Sequence, residues 1–319
     1  MKKVLITGGS GFLAMHLARR LYGSCSVWIA SRNHKRLLES AEFSGASPLP
    51  LDCTSRSSIN DAFSSIRPNI VVHAAATKYV DWSEKFPLEA TDINVLGSLN
   101  ILRASIDFGV SDLIGISTDK ASPPIANTYG LTKSLMERAF SLEAKKHIGS
   151  TTICCVRYGN VLWSTGSFLP VWKQMVQTQN HITTTGSTMT RFFFSVEDAV
   201  DLVLTALNNS TTITGSILTL PMRTATVSEF LNAVVDKTGA SYTVAPPRDG
   251  ERCQEFLVGS SETPFSQALS IGQKEYYIIT PNSKSHCPLG QAVSSDNSPR
   301  LTRAEIMSFL APFEDLSNV

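Results

Sequence analysis

Residues 4–7, Val-Leu-Ile-Thr, form a short run of β-formers that breaks into Gly8-Gly9-Ser10-Gly11. The next segment, 11–22, places Phe12, Leu13, Leu17 and Leu21 at helical spacing. A strand, a glycine turn and a helix in that order leave few folds open. The pattern then repeats. Residues 26–30, 48–51 and 69–74 read as strands, and residues 33–43 and 57–66 as the helices between them. Alternation of this kind implies a parallel, doubly wound sheet with helices on both faces. Residues 87–108 read as one long helix, 112–117 as a fifth strand, 127–147 as another long helix and 151–157 as a sixth strand. The expectation is an α/β Rossmann core over residues 1–160 that carries the catalytic residues.

Beyond residue 160 the elements shorten. Residues 183–190 read as a Thr-rich turn, and Ala245-Pro246-Pro247 as a break. Residues 196–208 and 227–238 look helical, 216–220 and 276–279 look like strands, 283–300 like a surface loop, and 302–310 like a final helix. Residues 161–319 are expected to form a smaller α/β substrate-binding lobe that does not fold by itself, with some segments returning to the core.

Composition narrows the partners. With 28 Lys+Arg against 27 Asp+Glu the formal net charge is +1, and no cationic cluster offers the footprint that a polyanion needs. Neither nucleic acid nor a membrane surface is expected as a partner. No apolar run approaches the roughly 18 residues of a membrane span, and Met1-Lys2-Lys3 is followed by too short an apolar stretch for a secretory signal. The six cysteines show no C-x-x-C pair, so reduced thiols in a cytoplasmic protein without a metal site are expected.

The glycine turn sits where a dinucleotide fingerprint must sit. Gly8 and Gly11 allow a tight turn and close approach of a pyrophosphate, whose charge faces a helix N-terminus, and Ala14 takes the place of the last glycine. Ser10, Phe12 and Leu13 belong to the same contact. NAD readers usually place a carboxylate at the end of the second strand. Here Ala30-Ser31-Arg32-Asn33-His34-Lys35 has none, so NADP is favoured over NAD, with Ser31, Arg32 and Lys35 at the 2′-phosphate. Asp52, with Cys53 beside it, is placed to accept from the adenine amine. Ala74, Ala75 and Ala76 would let the cofactor approach closely. Asn94 either reaches the cofactor or ties two strands together.

Ser117-Thr118-Asp119-Lys120 ends the fifth strand, at the sheet edge where such folds bind ligands. Tyr129 and Lys133 follow as an i, i+4 pair on one helix face. The ammonium is expected to lower the phenol from about 10 toward operating pH. Tyr129 can then remove a sugar hydroxyl proton while the adjacent carbon is oxidised, with Thr118 bonded to the same hydroxyl. Asp119 and Lys120 go further. A ketone at carbon 4 makes the carbon 5 proton acidic; its removal needs a base, and expulsion of the carbon 6 hydroxyl needs an acid. Lys120 is expected to be a neutral base, through burial and the charges of Lys133 and the oxidised nicotinamide, and Asp119 is expected to be the acid.

These residues, with S-R-N at 31–33, H-A-A-A-T-K-Y-V at 73–80, S-T-D-K-A at 117–121, Y-G-L-T-K at 129–133, V-R-Y-G-N-V at 156–161, M-T-R-F-F at 189–193 and R-D-G-E-R-C-Q-E at 248–255, resemble the inverting UDP-N-acetylglucosamine 4,6-dehydratases. That family belongs to the extended short-chain dehydrogenase/reductase superfamily, and the likeness runs through nearly the whole chain. The resemblance implies oxidation at carbon 4, loss of water across carbons 5 and 6, reduction at carbon 6 and inversion at carbon 5, to give a UDP-4-keto-6-deoxy-hexosamine for surface glycans. It implies a homo-oligomer, substrate contacts at Lys78, Asn160, Arg191, Arg248 and Glu251, and cofactor contacts that include Lys78, Tyr129 and Lys133. Arg191 and Arg248 would pair with the diphosphate, and Glu251 with a ribose diol. The chain departs from the family at Leu162-Trp163-Ser164-Thr165-Gly166, where an arginine is lost and a large ring gained, and at Arg252 and Gln254. Two other readings use the same residues: a UDP-sugar 4-epimerase, which needs no acid/base pair at carbons 5 and 6, and a silent NADP-sensing module.

Overall fold

The computed structural model describes residues 1–316, and the side chains of residues 1–313. Six strands, β1 (Lys3–Thr7), β2 (Ser26–Ser31), β3 (Ser47–Pro50), β4 (Ile70–His73), β5 (Asp112–Ile116) and β6 (Thr152–Val156), pair in parallel in the order β6-β5-β4-β1-β2-β3. The chain reverses direction across the sheet between β1 and β4, which creates the crevice in which doubly wound folds bind ligands. Side chains alternate between the two faces. Val4 and Ile6 join one core cluster, Leu5 and Val71 the other.

Helices α1 (Phe12–Leu21) and α2 (His34–Ser44) bury Leu17 and Leu37 in the first cluster. On the other face lies α3 (Arg56–Ile66), which buries Ile59 and Phe63. The expected long helix at 87–108 is present from Pro87 to Asp107 and carries a π-helical turn within it. After α4 (Val80–Lys85) come α5 (Pro87–Thr91), a π-helical turn over Asp92–Leu96, and α6 (Gly97–Asp107). The π turn holds a buried polar residue. Asn94 is wholly buried in the π turn, where its Oδ1 accepts from the Thr77 amide at 2.8 Å and its Nδ2 donates to the Thr77 carbonyl at 3.0 Å and to Thr132 Oγ1 at 3.0 Å. Its amide therefore ties the segment after β4 to α7 (Thr128–Lys146). The tie joins a loop to a helix, where the sequence offered a tie between two strands or a cofactor contact.

The sheet does not stop at β6. After β7 (Asn160–Val161), α8 (Phe168–Gln179), β8 (His181–Thr185), β9 (Thr190–Phe194) and α9 (Val196–Asn208), the chain returns to it: β10 (Ile217–Thr219) pairs with β6 in parallel. The 183–190 stretch, expected as a turn, thus supplies strand residues on both sides of Gly186. Farther on, β14 (Ser266–Ile271) and β15 (Lys274–Ile279) add an antiparallel hairpin, completing nine strands. The lobe is built from what remains. β11 (Arg223–Thr226) pairs with β9, β12 (Ser241–Ala245) with β8, and β13 (Phe256–Val258) with β16 (Val293–Ser294), the last inside the expected surface loop. α10 (Val227–Thr238) and α11 (Arg303–Phe309) cover a third cluster around Trp172, Phe193 and Phe230.

A buried cation joins lobe to core. Arg157, fully buried after β6, donates to Glu137 of α7 at 3.0 and 2.7 Å, to Glu262 at 2.8 Å, and to the Leu257 carbonyl at 2.8 Å. Among the described residues no helix is long and apolar enough to cross a membrane.

Candidate active site

The crevice opens into a cavity of about 630 Å³ between core and lobe. Its floor is the glycine turn. Gly8 has a φ of +71°, and a side chain there would meet the backbone of Ala74 and Ala75 at 2.7 Å, so only glycine lets the turn after β1 lie this close to the chain after β4. Gly8, Ser10, Gly11, Phe12 and Leu13 line the cavity, as do Ala74, Ala76 and Lys78.

The adenosine end differs from expectation. Ser31 is buried, while Arg32 and Lys35 are exposed, and none of them reaches this cavity. Arg32 instead lines a separate recess with Arg56 and Arg103. The cation of α2 that lines the cavity is Arg36, one turn into the helix, which is capped by the Asn33 side chain accepting from the Arg36 amide at 3.1 Å. Asp52 bonds its own turn, accepting from the Thr54 amide at 2.9 Å and the Thr54 hydroxyl at 2.8 Å. Burial pushes the neighbouring Cys53 thiol up to about 12, which leaves it inert as a nucleophile.

The chemical end forms where α7 presses onto the turn after β5. A side chain at Gly130 would lie 2.1 Å from the Lys120 carbonyl oxygen, so the glycine is what lets the helix bring Tyr129 beside that turn. Thr118, Lys120, Tyr129 and Lys133 all line the cavity; Asp119 does not. Its carboxylate is fully buried, with Oδ1 accepting from Lys120 Nζ and from Thr118 Oγ1, both at 3.0 Å. On its other side Lys120 Nζ lies 3.4 Å from Glu255 Oε1. Burial acts to lower the Lys120 ammonium, but the Asp119 and Glu255 carboxylates outweigh it and hold it above its ordinary range. The expectation of a neutral Lys120 is thereby corrected for the unliganded protein. The groups facing it include two carboxylates that the sequence reading did not count against it, and Lys133 is not among them.

The second correction concerns the tyrosine. Burial pushes the Tyr129 phenol up to about 12; Lys120 and a hydrogen bond with Thr118 work in the other direction, and Asp119 adds to the rise. Lys133 is lowered to about 8 by its own burial, and its Nζ rests 3.1 Å from Met136 Sδ. Lys133 is not among the groups that shift the Tyr129 phenol.

On the lobe side, Asn160, Arg191, Arg248 and Glu251 line the cavity. Arg191 is buried and partly spent: its Nη1 donates to the Thr190 carbonyl at 2.8 Å and the Cys253 carbonyl at 3.3 Å, and its charge acts on Lys120 and Glu255. Glu251 Oε2 accepts from the Arg248 amide at 2.8 Å. Lys78 Nζ crosses the opening to the Thr165 carbonyl at 2.6 Å. Trp163 points elsewhere. Its indole N–H donates to the Phe309 carbonyl at 2.7 Å and its ring packs on Phe313, while Ser164, Thr165 and Gly166 face the cavity. The large ring is thus an anchor for the C-terminal segment and takes no part in the sugar pocket.

Residues 4–271 match the family model described as polysaccharide biosynthesis protein. The chain belongs to that family. A curated relative of this polysaccharide biosynthesis protein is the UDP-glucose 4-epimerase of Rickettsia rickettsii (strain Sheila Smith), 33% identical over 290 residues that cover 87% of this chain and 82% of the relative. Pen from Bacillus thuringiensis, known from an X-ray structure, is similar over 98% of both chains, with 25% identity and a TM-score of 0.88. The dTDP-glucose 4,6-dehydratase DesIV from Streptomyces venezuelae, solved with NAD and TYD bound, shares the fold at 18% identity and a TM-score of 0.67, over 79% of this chain and 86% of that one.

Two residues of the site escaped the sequence reading. Arg36 was hidden because helical phase, not position after β2, decides which cation faces the crevice. Glu255 lies in the lobe, and its signal was a carboxylate directly before the apolar strand β13, a position where a buried charge needs a partner.

Proposed function

We propose that this polysaccharide biosynthesis protein is an NADP-dependent UDP-sugar 4,6-dehydratase, acting on UDP-N-acetylglucosamine with inversion at carbon 5 to give a UDP-4-keto-6-deoxy-hexosamine for surface glycans. One observation carries the reading. Lys120 sits on the cavity wall between two buried carboxylates, beside Thr118 and Tyr129. Oxidation at carbon 4 uses Thr118, Tyr129 and Lys133; an amine gripped by carboxylates next to them has work only if a second proton is moved. The glycine floor leaves room for a dinucleotide backbone, with Gly8 to Leu13 at the pyrophosphate and Arg36 at a 2′-phosphate. A nicotinamide held there would supply the hydride acceptor for oxidation at carbon 4 and the donor for reduction at carbon 6.

Tyr129 accepts the carbon 4 hydroxyl proton, held in line by Thr118. Its high phenol in the unliganded protein means that a bound positive charge is needed to bring it into range. Lys120 takes the carbon 5 proton once the carbon 4 ketone has made it acidic. Arg248 and Glu251 face the nucleotide half of the substrate.

The Rickettsia relative named UDP-glucose 4-epimerase supports a second reading, in which carbon 4 alone reacts. Incubation with UDP-N-acetylglucosamine and mass analysis of the product separates them, because dehydration removes one water and epimerisation leaves the mass unchanged. We also propose a homodimer formed through the outer face of α7, where Leu131, Leu135 and Leu142 are exposed.

A further inference from the structure

Lys120 is paired twice, but only one of its carboxylates can touch a substrate. Asp119 has no exposed surface, is absent from the cavity wall, and spends Oδ1 on Lys120 and Thr118. Glu255 lies on the cavity wall, its Oε1 is 3.4 Å from Lys120 Nζ, and its buried Oε2 has no hydrogen-bond partner among the described residues. Arg252 Nη1 lies 3.6 Å from Oε2.

We propose that Glu255, in place of Asp119, is the acid that expels the carbon 6 hydroxyl, and that Lys120 and Glu255 work as a pair sharing one proton across their contact. The proposal rests on the dehydratase reading above. The pair holds one proton in either of two arrangements: ammonium and carboxylate, or amine and carboxylic acid. Passing the proton from Nζ to Oε1 creates a base and an acid together. The charged groups facing Glu255 are Lys120 and Asp119 from the turn after β5, Arg191 from β9, and Arg252 from its own segment. Burial raises the Glu255 carboxyl, and Asp119 adds to the rise; the three cations oppose it. The acid form is therefore within reach in a way it is not for an exposed glutamate.

The elimination then balances. The carbon 5–hydrogen bond breaks and its proton goes to Nζ. The freed electron pair becomes the second bond between carbons 5 and 6. The carbon 6–oxygen bond breaks, and the oxygen takes the Glu255 proton to leave as water. The pair has gained one proton and lost one, and it ends as ammonium and carboxylate, which is the contact found in the structure. Asp119 takes no part in the transfer and acts as a positioning residue for Nζ.

Glu255→Gln keeps the shape and removes the acid. It should be assayed with NADP and UDP-N-acetylglucosamine for two signals, absorbance of reduced nicotinamide and mass of the product. The expected result is a reduced-nicotinamide signal on mixing, with release of the product one water lighter slowed by about 100-fold or more. Dehydration at the wild-type rate would overturn the assignment, and so would loss of both signals with NADP still bound, since Glu255 would then be a support for the site. Glu255→Asp covers the case in which the glutamine variant does not fold. It should lower kcat with KM held and move the pH profile of dehydration, and an unmoved profile would count against the proposal. Failure of the underlying reading looks different: the wild-type protein itself would release product of unchanged mass.

Discussion

At the level of single residues, burial governs this protein's titration, and His73 makes the point measurable. It ends β4 fully buried, bonded through Nδ1 to Thr7 Oγ1 at 2.8 Å and through Nε2 to Ser98 Oγ at 2.9 Å, and burial followed by the Lys133 charge lowers it to about 3. In the unfolded chain a histidine titrates near 6.5. Below that pH the unfolded state binds a proton that the folded state refuses, so stability falls as pH drops, by about 1.4 kcal/mol per unit, until His73 itself protonates. Urea unfolding at pH 7 and pH 5 should show the wild type losing more than His73→Gln; parallel losses would mean that His73 is not held neutral. The same forces explain what the sequence hid. Tyr-x-x-x-Lys and Ser-Thr-Asp-Lys could be read directly, because helix spacing and a strand end fix where those side chains go. The state of Tyr129 and Lys120 could not, since it depends on desolvation and on Glu255, which the lobe delivers.

At the level of elements, the alternating strands and helices of residues 4–157 were readable because each buries one periodic face. The π turn within the 87–107 helix was not. The apolar pattern of 87–108 continues through it, and the turn holds Asn94, bonded to Thr77 and Thr132. Likewise β10, β14 and β15 are short or half-exposed, and only their pairing to β6 and to one another makes them part of the main sheet. α2 carries a prediction of its own. Because Arg36 faces the cavity and Arg32 another recess, Arg36→Ala should weaken NADP about tenfold more than NAD, the scale of one charge-assisted hydrogen bond. Arg32→Ala should discriminate less between them. Titration of both cofactors checks this, and equal losses of NADP and NAD in the Arg36 variant would place the 2′-phosphate elsewhere.

At the level of the whole molecule, lobe and core are one unit. Arg157 is shared by Glu137 and Glu262, and the lobe sends three strands into the nine-stranded sheet. The outer face of α7 is one place where this unit leaves apolar surface uncovered, with Leu131, Leu135 and Leu142 each more than half exposed. Leu131→Asp with Leu135→Asp should convert a sedimenting dimer to a monomer; a wild type that sediments as a monomer, or a variant that stays dimeric, would rule that face out. The central claim is that closing the lobe on the sheet edge brings Glu255 to Lys120, and so adds an elimination to the oxidation that Tyr129 begins. The mass of the product formed from UDP-N-acetylglucosamine tests it most directly. A product lighter by one water is the result expected, and a galacto-configured product of unchanged mass would contradict it.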